Sequence, residues 1–363
     1  MQCRSTLAAL TMAYALALGA APTASAQWQP QLGPAPWLAP DAAAEAVPAP
    51  RPRTPASVGF DPMDRTQVAL AYRQVYLAQG SVPMGWGGSV ATCNAGSTTA
   101  AYRQATIDRV NYYRVHAGLP GDVGLQGGAS ATGSQQAALM FSANQALSHT
   151  PPPSWLCWTQ AGATAAGSSN IALGWGSDAA AGVNAVDLYM DDHGTGNTAV
   201  GHRRWILYPP QAGMDSGSIP WSPQWAANAL KVIGGFGVRP PTPNGVAWPP
   251  RGYVPWQLLP DASNRWSFSW PNANFVGATV SMTRNGVPLG MPTYEALASG
   301  YGDNTLVWRP QGVSYAQPAG DVTYRVSITG ISGGGAPASL SYEVVVIDPY
   351  VLGERIFANG FER

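Results

Sequence analysis

Ala185-Val186-Asp187-Leu188-Tyr189-Met190-Asp191-Asp192, with Gly201-His202-Arg203-Arg204-Trp205-Ile206-Leu207 close behind it, is the stretch on which the reading of this chain turns. Residues 185–191 have the spacing of a short helix that ends on an acidic pair. The second segment holds one of only four histidines in 363 residues. Another lies in Ala146-Leu147-Ser148-His149-Thr150, where a second helical pattern ends. Two imidazoles and a nearby carboxylate are the minimum for a divalent-metal site or a general acid/base site. His149, His202 and Asp192 are therefore the first candidate site residues.

Upstream, Tyr102, Ile107, Val110 and Tyr113 recur at helical spacing over residues 98–116, with Gly118 and Pro120 as stop signals. A helix over 134–147 carries Ala137, Ala138, Phe141 and Ala146, and Pro151-Pro152-Pro153 prevents its continuation. A short helical segment is expected over 61–79, with Asp61-Pro62 as its cap and first-turn pair. Residues 205–208 and 230–237 read as strands. Near Trp248-Pro249-Pro250 the apolar period becomes two. Ala278-Val280-Met282, Val322-Tyr324-Val326-Ile328 and Leu340-Tyr342-Val344-Val346 alternate, and Asn285-Gly286 is a hairpin turn signal. Short alternating strands between turn residues argue for a β-sandwich over 249–348, with Asp321-Val322-Thr323-Tyr324 as a tyrosine-corner candidate.

The ends read differently. Arg4, the apolar run 7–21 and Ala24-Ser25-Ala26 together resemble a cleaved export signal over 1–26, too short for a membrane span. Residues 27–58 form a Pro/Ala-rich linker. Ile356-Phe357-Ala358-Asn359-Gly360-Phe361-Glu362-Arg363 closes a tail, 349–363, that reads either as a sorting tag or as an ordinary chain end. An exported chain with Cys93 and Cys157 beyond the signal suggests one disulfide, the alternative being two buried thiols. Lysines plus arginines equal aspartates plus glutamates at 19 each, with Lys231 the sole lysine, so nucleic-acid and polybasic membrane binding are disfavoured.

Residues 103–248 resemble the CAP superfamily, the group of cysteine-rich secretory proteins, antigen 5 and pathogenesis-related-1 proteins, and within it the bacterial SCP-like branch. Asn111-x-x-Arg114 before Gly118-Leu119 is similar to the first helix of that fold. Ala137-Ala138 through Leu147-Ser148-His149 is similar to its second helix and first site histidine. Asn170-Ile171-Ala172 resembles the end of its Gly-Glu-Asn-Ile motif, residues 185–192 its third helix, and Gly201-His202-Arg203-Arg204 its Gly-His signature. The resemblance implies an α+β protein. An SCP-like α-β-α sandwich over 59–248, with an N-terminal helical extension, would precede the sandwich over 249–348, which looks immunoglobulin-like on pattern alone.

The family's cleft carries two histidines and two glutamates, and its histidines can hold zinc. By position His149 and His202 are the implied metal ligands, the alternative being structural histidines bonded to backbone near helix ends, and Asp192 stands for the second glutamate. Ser169 stands where the first glutamate would be, so one carboxylate is absent and the other is a methylene shorter. Ser169, Asn170 and Arg204 join Asp192 as expected cleft or ligand-binding residues, with buried support of the cleft wall as the alternative for Arg204. Any zinc or other divalent metal so held would bind weakly, and less as the imidazoles protonate.

His193, in a Gly/Thr/Asn loop, reads as solvent-exposed, the alternative being a third metal ligand. His116, at a helix end, reads as a surface cation. Asp191 reads as a helix cap or a partner of Arg203 or Arg204. A Ser169 nucleophile is disfavoured because no Gly-x-Ser-x-Gly elbow surrounds it. The tryptophans read mainly as packing. The resulting expectation is an exported non-catalytic binding protein for a divalent metal, a small apolar ligand such as a sterol or fatty acid, or an envelope protein. A zinc-dependent hydrolase with Asp192 as base is the second reading, and a structural envelope protein the third.

Overall fold

Asp64, rather than the Asp61-Pro62 pair, caps the first helix. Its carboxylate accepts the amides of Thr66 at 2.8 Å and Gln67 at 3.0 Å. Asp61 instead accepts the Met63 amide at 2.8 Å, which makes the turn that precedes the helix. Helix α1 (Arg65–Ala71) runs through a π turn (Tyr72–Tyr76) into α2 (Leu77–Gln79). The Thr99 hydroxyl accepts the Tyr102 amide at 3.1 Å and starts α3 (Ala100–His116). Gly118, with φ of +78°, lets the chain leave α3. The other helices are α4 (Gly128–Asn144), α5 (Gln160–Ala166), α6 (Gly182–Asp191) and α7 (Gly201–Ile206). These features come from a computed structural model that describes residues 30–39 and 56–351. The expected signal segment, most of the linker and the tail beyond 351 lie outside the described residues.

One mixed sheet organises the first half. It contains β1 (Gln31–Leu32), β2 (Gly124–Leu125), β3 (Ser169–Gly174), β4 (Gly213–Ile219) and β5 (Ala226–Lys231), in the order β1-β3-β5-β4-β2. Strand alternation decides which helices lie where. Ile171, Leu173, Ile219, Ala227 and Ala229 face α4 and α5 through Ala137, Ala138, Phe141 and Ala165. Ala172, Met214, Ala226 and Leu230 join the core of α3 and α6 on the other side, with Val110, Val186 and Tyr189. Small residues allow close approach: a Cβ on Gly217 would stand 2.1 Å from the Ser134 carbonyl of α4.

Two further sheets follow. The strands are β6 (Val246–Trp248), β7 (Gly252–Pro255), β8 (Trp266–Trp270), β9 (Thr279–Arg284), β10 (Val287–Pro288), β11 (Thr293–Tyr294), β12 (Asn304–Arg309), β13 (Val322–Thr329) and β14 (Ser339–Ile347). They form sheets of order β11-β12-β8-β6 and β10-β9-β13-β14-β7. The sheets pack through Trp266 on Tyr324, ring centres 5.9 Å apart, and Phe268 on Tyr342, 6.4 Å apart. Asn285 and Gly286, with φ of 49° and 82°, turn β9 into β10. The Tyr324 hydroxyl accepts the Ser314 amide at 3.0 Å. Helices gathered in the first half beside one sheet, with two further sheets in the second, make the protein α+β, at 26% helix and 24% strand of the described residues. A single apolar cluster runs through both halves, from Val110 and Met190 through Trp205 and Trp248 to Trp266 and Val344. Cys93 and Cys157 form a disulfide across 64 positions of sequence.

Three expectations need correction. Residues 205–208 are not a strand: Arg203, Arg204, Trp205 and Ile206 sit in α7, and all four are buried. A helix buried on every side leaves no apolar period to read. The strand expected over 230–237 is β5, which ends at Lys231. His116 is not a surface cation. It is 0% exposed, and its Nε2 lies 2.7 Å from the Tyr253 carbonyl. Phe60, Tyr112 and Trp248 surround its ring, and burial pushes it down to about 4.

Candidate functional site

Asp192 ends α6 in the left-handed conformation at φ 56°, which Asp tolerates better than most residues. Val200 takes φ 45° just before α7, which is costly for a β-branched side chain. These two turns bring the acidic pair against the Gly-His segment. His202 Nδ1 donates to Asp192 Oδ1 at 2.8 Å, and the Arg203 amide donates to Asp192 Oδ2 at 3.2 Å. The His202 ring stacks on Tyr189 at 5.4 Å and 12°. Asn170 Nδ2 donates to the His202 carbonyl at 3.1 Å, and the Tyr189 hydroxyl lies 3.0 Å from the Asn170 carbonyl. Asn170, Tyr189, Asp192 and His202 are all 0% exposed. The histidine and the aspartate expected to converge do so, inside a sealed network rather than along an open cleft.

His149 is placed otherwise. Its Nδ1 lies 2.7 Å from the Ala166 carbonyl and its Nε2 lies 2.6 Å from the Pro34 carbonyl. Each ring nitrogen thus faces a backbone oxygen at hydrogen-bond distance, so neither is open toward a metal. Of the two His202 ring nitrogens only Nε2 is without a hydrogen-bond partner. Among the described residues no group of three His, Cys, Asp or Glu side chains stands together as a metal site. The residues present do not fit zinc shared by His149 and His202.

The remaining expected site residues also have structural partners. Ser169 is 0% exposed and its hydroxyl donates to the Ala165 carbonyl at 2.7 Å, which leaves it neither a cleft wall nor a nucleophile. Arg204 does not reach out for a ligand. It donates to the carbonyls of Ala298 at 3.0 Å and Asp303 at 2.8 Å, and its guanidinium lies over Tyr301. Asp191 accepts the Ser263 amide at 3.2 Å, and Arg203 reaches its backbone carbonyl rather than its carboxylate. Burial raises the Asp191 carboxyl above its usual range. His193 is half-buried, with Nε2 3.1 Å from the Pro30 carbonyl.

Three features escaped sequence reading. Arg203 donates to the carbonyls of Met190, Arg265 and Asp191 at 2.7, 2.8 and 2.9 Å. Arg265 returns the contact from the second half, donating to the carbonyls of Asp192 at 3.0 Å and Gly194 at 3.1 Å. Together they clamp the acidic pair to the C-terminal sheets, and burial lowers the Arg203 guanidinium to about 10. The third feature is the N-terminal strap, residues 30–39, which lies across this region. Only the crowding of arginines in Gly-His-Arg-Arg hinted at the first, nothing in residue type marked Arg265, and composition alone marked the strap as linker.

No protein-family model, curated protein or solved structure matches this chain.

Proposed function

We propose that the chain is an exported, non-catalytic binding protein, with an SCP-like domain of the CAP superfamily joined to an immunoglobulin-like sandwich, and that its ligand is an envelope protein. The ordered motifs from Asn111 to Arg204 support the family reading. The observation that carries the function is the state of the two histidines. Both nitrogens of His149 face backbone carbonyls, and His202 is closed in with Asp192 away from solvent. A hydrolase needs a reachable base and a place for water beside the scissile bond. Neither imidazole offers one. The Asp192–His202 pair instead holds α6 to α7 and so fixes the surface around Gly201.

Zinc calorimetry and ester and peptide turnover on the full chain test this, with a His149→Ala/His202→Ala variant alongside. The expected result is no stoichiometric zinc uptake that distinguishes the two proteins, and no turnover that depends on His202. Zinc binding or hydrolysis lost in the variant would favour the hydrolase reading over this one.

A further inference from the structure

The strap Pro30-Gln31-Leu32-Gly33-Pro34-Ala35-Pro36-Trp37-Leu38 touches the rest of the molecule as a bound peptide touches a receptor. Gln31 and Leu32 pair antiparallel with Leu173 and Ala172 and add a strand to the edge of β3. The Gly33 amide donates to the Ile171 carbonyl at 3.2 Å. Pro30, Pro34 and Pro36 have no amide to offer, so they take part through their carbonyls. Side chains from three separate segments meet them. His193 Nε2 lies 3.1 Å from the Pro30 carbonyl, His149 Nε2 2.6 Å from that of Pro34, and Trp205 Nε1 2.7 Å from that of Pro36. The Leu38 amide donates to the Gly300 carbonyl at 3.0 Å.

The fit is set by small residues. A Cβ on Gly33 would stand 2.6 Å from Ile171, and one on Gly201 would stand 2.6 Å from Ala35 and 2.7 Å from Tyr301. A Cβ on Gly300 would stand 2.0 Å from the Trp37 indole nitrogen. Each of these glycines opens room for the segment opposite. Without the strap, the β3 edge, two imidazole nitrogens and the Trp205 indole would lose their partners together, a cost in unmet polar groups that a substitute segment would have to cover.

We propose that the β3 edge, His149, His193, Gly201 and Trp205 form a receptor groove for an extended, proline-containing peptide, and that residues 30–38 are its resident and exchangeable occupant. The inference rests on the binding-protein reading and names its ligand class. Sixteen residues, 40–55, connect the occupant to the rest of the chain. The occupant is thus covalently joined to the groove, and a competing peptide must displace an intramolecular partner, which leaves the groove self-occluded.

The test is peptide exchange in the full chain carrying a site-specific protease sequence after Ala44. A fluorescent peptide of residues 30–39 is titrated before and after cleavage, with circular dichroism reporting the fold. The uncut chain is expected to take up no peptide at micromolar concentration. The cut chain is expected to release its fragment on dilution, stay folded and bind the peptide one to one. A Gly33→Val peptide, which alters the ligand and leaves the protein intact, is expected to bind about tenfold more weakly or worse. The proposal is overturned if the fragment never exchanges, if the protein unfolds when it leaves, if the emptied groove refuses the peptide, or if Gly33→Val binds equally well. Peptide uptake by the uncut chain would overturn self-occlusion. None of these readouts involves turnover, so this proposal and the non-catalytic reading fail separately.

Discussion

Acidification should loosen the join between α3 and the C-terminal sheets through one imidazole. His116 ends α3, is fully buried, and meets the Tyr253 carbonyl of β7 through Nε2, while its Nδ1 has no hydrogen-bond partner. A proton added at Nδ1 would therefore enter an apolar ring of Phe60, Tyr112 and Trp248 with no acceptor. Burial lowers the imidazole to about 4 against 6.5 in the unfolded chain, the Tyr253 bond opposing this only in part. Between those values the unfolded state binds more protons than the folded one. The contribution to stability is thus complete above pH 6.5 and is lost as pH falls to about 4. At about 1.4 kcal/mol for each pH unit, the loss is about 3 kcal/mol. Urea unfolding followed by tryptophan fluorescence, from about pH 7.5 to 4, should show that extra loss in the native protein against His116→Gln. The variant keeps a donor for Tyr253 and removes the titration, and the carboxylates titrate alike in both. Equal slopes, or a His116 resonance titrating near 6.5, would refute the reasoning.

Two other perturbations probe the frame that holds the site. Arg203→Met removes donors from the carbonyls of Met190, Asp191 and Arg265 in a buried setting, and should cost about 3 kcal/mol or more in urea unfolding. A variant as stable as the native chain would show that those carbonyls find other partners. Cys93→Ser/Cys157→Ser opens the loop of 64 positions and should lower stability by about 4 kcal/mol in the chain-entropy model. An unchanged denaturation midpoint would show that the loop is held without the bond.

How much of this was legible depended on whether a residue's role is local. The alternating strands over 322–329 and 339–347 were readable because one face of each is buried and the period survives in the sequence, whereas the helix ending at His116, whose residues 109–116 are all buried, was readable from its apolar spacing upstream and its stop signals at Gly118 and Pro120. The turn at Asn285-Gly286 was readable because the backbone there needs positive φ. The helix over 201–206 was not, since every one of its residues is buried and its start at Val200 lacks a capping side chain. The sequence also singled out His149, His202 and Asp192 from residue type and order, and two of the three do meet.

By itself, then, the sequence determined the α+β character, the cysteine pair and the residues around which the site region is built. Periodicity, turn chemistry and scarcity are properties of neighbours along the chain. Only the tertiary structure decided what those residues do. His149 turns both nitrogens to carbonyls from residues 34 and 166, His116 is sealed by Tyr253, and Arg204 is drawn to residues 298 and 303. Each of those partners is a backbone carbonyl distant in sequence. A carbonyl is present at every residue, so nothing in residue type can announce which one a side chain will meet.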